Sequence, residues 1–405
     1  MRVTSKLFLV PALVAGLSLA GCSSSDSKTA RPLALGPATP ALGGVLKAFQ
    51  PPLADQGGGA FVITASGEAL ASSGYDFPPA IAGEPFVIDG WTVRFGHVLV
   101  AFDDVRLNAD PDKGLPSGNP ALLGPVVAEA KGPWAADLAN PGGIDGKGGP
   151  AERAFPIAAF TAQTSNGNAA FDPASRYAFS FKSVRATSGA YNVNLTAAEL
   201  PLYEEMIANG WTILVTGTAT FTADAATCQS NGVFDFSTLP TTVEFKVGYD
   251  ATAAYGNCIN ADPDVPADTR GIQVKPGQSV IAQATFHTDH PFWNTTDHEA
   301  AVMFFDQLAA LATPGVGVGA PATLLVTTGP GSELTGHGIA PLTSRAGTTL
   351  GWRTCDPAAF PLPASTERTF ENIDFPLETT YQQYFRRALA TFGHLNADGL
   401  CVVTQ

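Results

Sequence analysis

Glycine and proline punctuate this chain heavily, with 42 and 32 of them in 405 residues. Glycine weakens a helix interior and proline breaks one. The chain therefore suits short strands joined by long loops, and it does not suit a helical bundle. The expected fold is mainly β: an antiparallel β-sandwich-like body with a few short covering helices and long Pro/Gly-rich loops. The length exceeds one small core, which predicts two β-rich parts. These are residues 59–222 and 223–405, the second carrying two helices and two disulfides.

Alternation locates the strands. From Trp91 to Leu107, Val93, Phe95, His97, Leu99 and Ala101 share one side. Tyr177, Phe179 and Phe181 alternate in the same way. Trp211 to Thr222, Thr241 to Val247 and Ala322 to Thr327 are β-branched and aromatic. From Ser279 to His287, Val280, Ala282, Ala284 and Phe286 form an apolar side, and Ile281, Gln283, Thr285 and His287 form a more polar one. Thr196 to Glu199 matches a capping box, with Gly210 as the helix stop. A second box, Thr296-Asp297-His298-Glu299, predicts an amphipathic helix running to Pro314-Gly315. A third helix is expected from about Thr380 to Thr391.

The N-terminus carries Arg2 and Lys6, then an apolar run from Leu7 to Ala20 that is too short to span a bilayer. It ends in Leu19-Ala20-Gly21-Cys22, which resembles the lipobox of bacterial lipoproteins. The resemblance implies a signal peptide over residues 1–21, lipid on Cys22 and a tether over 22–58. The body would then sit at a membrane face of the bacterial cell envelope. Ser23 after the cysteine implies the outer membrane, facing the periplasm or the cell surface.

The formal charge of −14 repels phosphate backbones and disfavours nucleic acid as a partner. Besides Cys22, four cysteines remain: Cys228, Cys258, Cys355 and Cys401. An even number in an oxidising compartment predicts two disulfides. The shorter loops favour Cys228–Cys258 and Cys355–Cys401.

Only six histidines are present, and His287, His290 and His298 fall within twelve residues. His287 ends a strand. In extended chain His290 would face the other way, so a turn through Thr288-Asp289 is needed to bring the pair together. His298 would lie in the first turn of its helix, whose positive end disfavours imidazolium and leaves the neutral, ligating form. The candidate metal ligands are His287, His290, His298 and Asp289, with His97 from a distant strand and His394 from the exit of the last helix. A helix C-terminus favours His394 as a cation, which counts against it as a ligand. Imidazole-rich sites suit copper first and zinc second. The alternative is that His287 and His290 hydrogen-bond loop carbonyls and that Phe292 and Trp293 are plain core. No G-x-S-x-G elbow, P-loop or Rossmann fingerprint is present. No catalytic residue and no organic cofactor are therefore assigned.

The segments Asp89 to Phe95 (DGWTVRF), His287 to Trp293 (HTDHPFW) and Gly393 to Cys401 (GHLNADGLC), in that order, resemble a group of uncharacterised secreted lipoproteins of environmental bacteria. In that group an H-x-D-H-x-F segment follows a strand, and a helix with F-D, here Phe305-Asp306, comes after it. The resemblance implies that His287, Asp289, His290 and His394 belong to one pattern, and it brings no activity with it.

Together these readings predict a lipid-anchored extracytoplasmic protein that binds copper or zinc for sequestration or delivery. Its partners would be the membrane, the metal ion or another envelope protein. Two alternatives stand beside it. One is a non-enzymatic adhesion or glycan- or protein-binding module displaying Trp134, Trp293 and Trp352. The other is a metal-dependent hydrolase, which requires an open coordination position and a nearby acid.

Overall fold

The computed structural model describes residues 33–34, 36–54, 59–149, 151–232, 234–295, 301–317, 319–327, 350–359 and 381–404. The leader, Cys22, His298 and the second capping box lie outside them. The main strands are β1 (Ala60–Ser66), β2 (Trp91–Ala109), β3 (Val126–Ala130), β4 (Trp134–Asp137), β5 (Arg153–Phe160), β6 (Tyr177–Ser183) and β7 (Ile213–Phe221). They continue with β8 (Thr242–Tyr249), β9 (Ala253–Gly256), β10 (Ser279–Phe286), β11 (Ala322–Thr327), β12 (Gly393–Leu395) and β13 (Val402–Thr404). Among the described residues four short helices accompany them: α1 (Glu68–Ser73), α2 (Leu200–Asn209), α3 (Asp306–Ala309) and α4 (Tyr381–Ala390).

The body is mainly β and sandwich-like, as expected. One large sheet runs β11–β8–β7–β2–β6–β9–β13, with β3 and β4 also pairing to β2. A smaller sheet runs β12–β10–β1–β5. Most pairs are antiparallel, but β10 with β1 and β8 with β11 are parallel. Phe286 of the small sheet meets Phe102 and Phe181 of the large one at ring-centroid distances of 5.5 and 5.6 Å. It is fully buried, a side chain worth roughly 2–3 kcal/mol in apolar transfer alone.

The described residues cluster as one compact unit. Strand pairing crosses the expected boundary at 222/223. β7 lies before it and β8 after it, yet the two pair along their length, as do β1 and β10.

Several local expectations change. In β2, Thr216 stands opposite His97 and Gly217 opposite Phe95, so the ladder skips Gly96. This bulge reverses the alternation. Phe95 packs with Val98 and Val100, while Leu99 and Ala101 enter a different core with Tyr203 and Trp211. His97 is carried away from the Phe95 side. The helix expected up to Pro314 shrinks, within the described residues, to the single turn of α3. Residues 301–305 are extended or irregular there, held partly by the bond from Phe304 N–H to the Phe292 carbonyl at 2.9 Å. α2 follows its capping box, with Thr196 N–H donating to the Glu199 carboxylate at 2.7 Å and Gly210 left-handed at the exit. α4 falls where the periodicity placed it.

The disulfides are Cys228–Cys355 and Cys258–Cys401, which corrects the expected pairing. Loop length governs the entropy of the unfolded chain. Strand pairing decides which thiols meet: Gln229–Ser230 pairs with Arg353–Thr354 and sets Cys228 beside Cys355. The three tryptophans expected on display are all buried: Trp134, Trp293 and Trp352. An aromatic adhesive surface built from them is removed. No described helix is long and apolar enough to cross a membrane, and two disulfides fit an oxidising, extracytoplasmic compartment.

Candidate metal centre

Two chain segments, 287–292 and 393–395, converge at one end of the small sheet. β10 delivers His287, whose backbone N–H donates to the Phe392 carbonyl at 2.8 Å. A turn through Thr288-Asp289 then enters a short 3-10 turn, His290–Phe292, the bend that the pair requires. β12 pairs antiparallel with β10, Thr285 opposite His394. His287, His290 and His394 are all buried, and one ring nitrogen of each lies within 4.8 Å of the others. Their rings are close: 4.1 Å between His287 and His394, and 5.5 Å from His290 to each. Two imidazole nitrogens bound to one ion at about 2.1 Å can be at most about 4.2 Å apart, a spacing close to the one seen here.

The surroundings fix the rings. His290 Nδ1 lies 3.0 Å from the Thr391 hydroxyl and 3.2 Å from the Ala388 carbonyl, at the end of α4. Trp293 stacks on His290 with centroids 3.8 Å apart, and its indole N–H donates to Asp289 at 3.1 Å. His287 Nε2 faces the Ala397 carbonyl at 3.2 Å. The expected polar side of β10 is itself buried. Gln283 donates to Glu152 at 2.6 Å and to Thr285 at 3.0 Å, and Thr285 accepts from Ala397 N–H at 3.0 Å. This network holds the turn Asn396–Gly399 against the site.

Carboxylates surround His287. Glu68 Oε1 is 3.5 Å and Asp398 Oδ1 3.9 Å from Nε2, and Asp289 Oδ1 is 3.7 Å from Nδ1. Burial by itself would lower the His287 pKa. The charges of Glu68 and Asp289, with the Ala397 carbonyl, outweigh it and hold the ring as a cation, pushed up to about 10. Burial raises Glu68 to about 7 against the opposing pull of His287. This pocket favours positive charge.

Of the sequence candidates, the fold gathers His287, His290, His394 and Asp289. His394 was the weakest by helix-dipole reasoning. It belongs to β12 and not to the last turn of α4, so the dipole objection does not apply with its expected force. His97 does not join them. Its Nδ1 lies 2.7 Å from Asp137 Oδ2, and it groups instead with Asp137 and Glu199. Glu68 and Asp398 were missed. Glu68 reaches the site because β1, which precedes α1, runs parallel beside β10. Asp398 read as an ordinary turn residue, and no local signal marks either. Searches of protein families, curated proteins and solved structures found no match to this chain.

Proposed function

We propose that this chain is a lipid-anchored extracytoplasmic protein that binds a transition metal ion, copper before zinc, at His287, His290 and His394, for sequestration or delivery. The observation that carries the reading is the convergence of three histidine nitrogens, from two stretches about a hundred residues apart, inside an acid-flanked pocket. Imidazole is a ligand of choice for both ions, and the nearby carboxylates compensate the charge that the ion brings. Asp289 would support the centre from outside the ligand set, through Trp293 and His287. The lipobox resemblance supports anchoring through Cys22, and the disulfides support an oxidising compartment.

Metal analysis after loading and exhaustive dialysis tests the reading. The parent protein should retain about one copper or zinc ion per chain, and a His287→Ala/His290→Ala/His394→Ala variant should retain none. A parent that retains no metal refutes it. Glu68 beside His287 also supplies the acid that a metal-dependent hydrolase needs. Ester or peptide turnover by the loaded protein, lost in Glu68→Gln, would favour that second reading.

A further inference from the structure

His287 belongs to two groups of potential ligands. One is the buried trio with His290 and His394. The other joins His287 to Glu68 and Asp398, again with one donor atom of each within 4.8 Å of the others. These side chains descend in exposure toward the interior: Asp398 85%, Glu68 22% and His287 8%. His394 and His290 lie deeper, fully or almost fully buried. Described neighbours pack on the inner histidines from other sides. Trp293 lies over His290, the end of α4 holds its Nδ1, and the Phe392 carbonyl takes the His287 backbone N–H.

The outer group stands on a fixed turn. Leu395 and Gly399 exchange two backbone hydrogen bonds, at 2.9 and 3.0 Å. The Asn396 side chain donates to Asn260 at 2.9 Å and to Asp262 at 3.2 Å. Asp398 is thus held toward solvent beside the His287 ring.

We infer that Asp398, Glu68 and the Nε2 side of His287 form an entry station through which a divalent cation reaches the three buried histidines. The inference rests on the metal-binding reading above and adds the route. The exposed Asp398 carboxylate draws a cation in through its charge, and the half-buried Glu68 stands next on the way. Oxygen ligands suit copper and zinc less well than imidazole does, so an ion gathered there moves inward to the histidines. His287 lies in both groups and passes the ion from one to the other.

Stopped-flow mixing of the full processed chain with Cu2+ tests the route, read by quenching of tryptophan fluorescence, since Trp293 stacks on the ligand His290. Asp398→Asn, Glu68→Gln and the double variant keep the shape and remove the charge. The double variant should load about tenfold more slowly, and Asp398→Asn, at the exposed end of the path, should slow loading and release alike and keep its dissociation constant within about threefold of the parent's. A station on the path changes both directions alike. Added salt should slow loading of the parent more than that of Asp398→Asn. Unchanged loading in the double variant overturns the inference while leaving the histidine site standing. So does weaker binding through faster release alone, which would make the acids final ligands. A parent that takes up no copper overturns the site itself, and the route with it.

Discussion

Asp89 and Asp306 meet in the interior, where a carboxylate oxygen of Asp89 accepts the backbone N–H of Asp306 at 2.7 Å and that of Phe305 at 2.8 Å. The Asp306 carboxylate in turn accepts Trp91 Nε1–H at 2.8 Å and the Arg353 guanidinium at 2.8 and 2.5 Å. Two motifs far apart in the chain, DGWTVRF and the F-D pair, are thereby tied into one fully buried network. Burial first, and then the neighbouring Asp306 charge, push the Asp89 carboxyl well above its usual range.

Removing one member strands a buried charge. Asp306→Ala leaves Arg353 without its carboxylate, and such losses cost about 3–5 kcal/mol. Urea denaturation should show the midpoint falling with little change in slope. A loss below about 1 kcal/mol would show that the network is replaceable.

The disulfide pairing has a direct readout. Digestion without reduction should release peptides joining Cys228 to Cys355 and Cys258 to Cys401, and recovery of a Cys228–Cys258 peptide would contradict the fold. The bonds span 127 and 143 residues of sequence. Replacing both cysteines of one pair by serine should cost about 2–5 kcal/mol.

Asp104 gives a pH signature away from the histidines. It contacts Lys131 at 2.8 Å, Lys182 at 2.8 Å and Arg106 at 2.7 Å. Burial alone would raise its carboxyl, but these cations bring it down to about 2. A depressed acid stabilises the fold above its unfolded pKa of about 3.9, and that contribution is lost as pH falls through about 2. Because the basic partners are well exposed, the effect is about 1 kcal/mol. Stability curves for parent and Asp104→Asn should differ by that amount at pH 6 and converge towards pH 2. A constant gap between them would contradict the assignment.

Metal uptake should release protons. Without metal His287 holds its proton up to about 10, and only the neutral ring ligates. Apparent affinity should therefore rise about tenfold per pH unit between pH 6 and 8, measured by competition with a chelator of known pH dependence. A flat profile would remove His287 from the ligand set.

Strand alternation and helix punctuation were legible where they depend on neighbours in the chain. β10, α4 and the cap of α2 fall where period and capping residues place them. The reading failed where distant segments decide. The Gly96 bulge turned His97 away from the Phe95 side. Residues 301–305 are extended or irregular chain that bonds to Phe292 and Asp89. Gln283 and Thr285 read as a polar side, and the fold buries them among hydrogen-bonding partners from the loop before β5 and the turn after β12.

The candidate site divides in the same way. Sequence alone determined that His287 ends a strand, that His290 needs a turn to join it, and that histidine is scarce enough for the cluster to matter. These are local properties of alternation, turn chemistry and composition. Only the tertiary structure decided that His394 completes the trio and that His97 does not, that Glu68 and Asp398 flank it, and which cysteines pair. The make-up of the site follows from β10 pairing with β1 on one side and β12 on the other, the loss of His97 from the Gly96 bulge, and the Cys228–Cys355 bridge from the pairing of 229–230 with 353–354. Strand partners are chosen by burial of whole faces and by register across long separations, and no short stretch of sequence carries that choice.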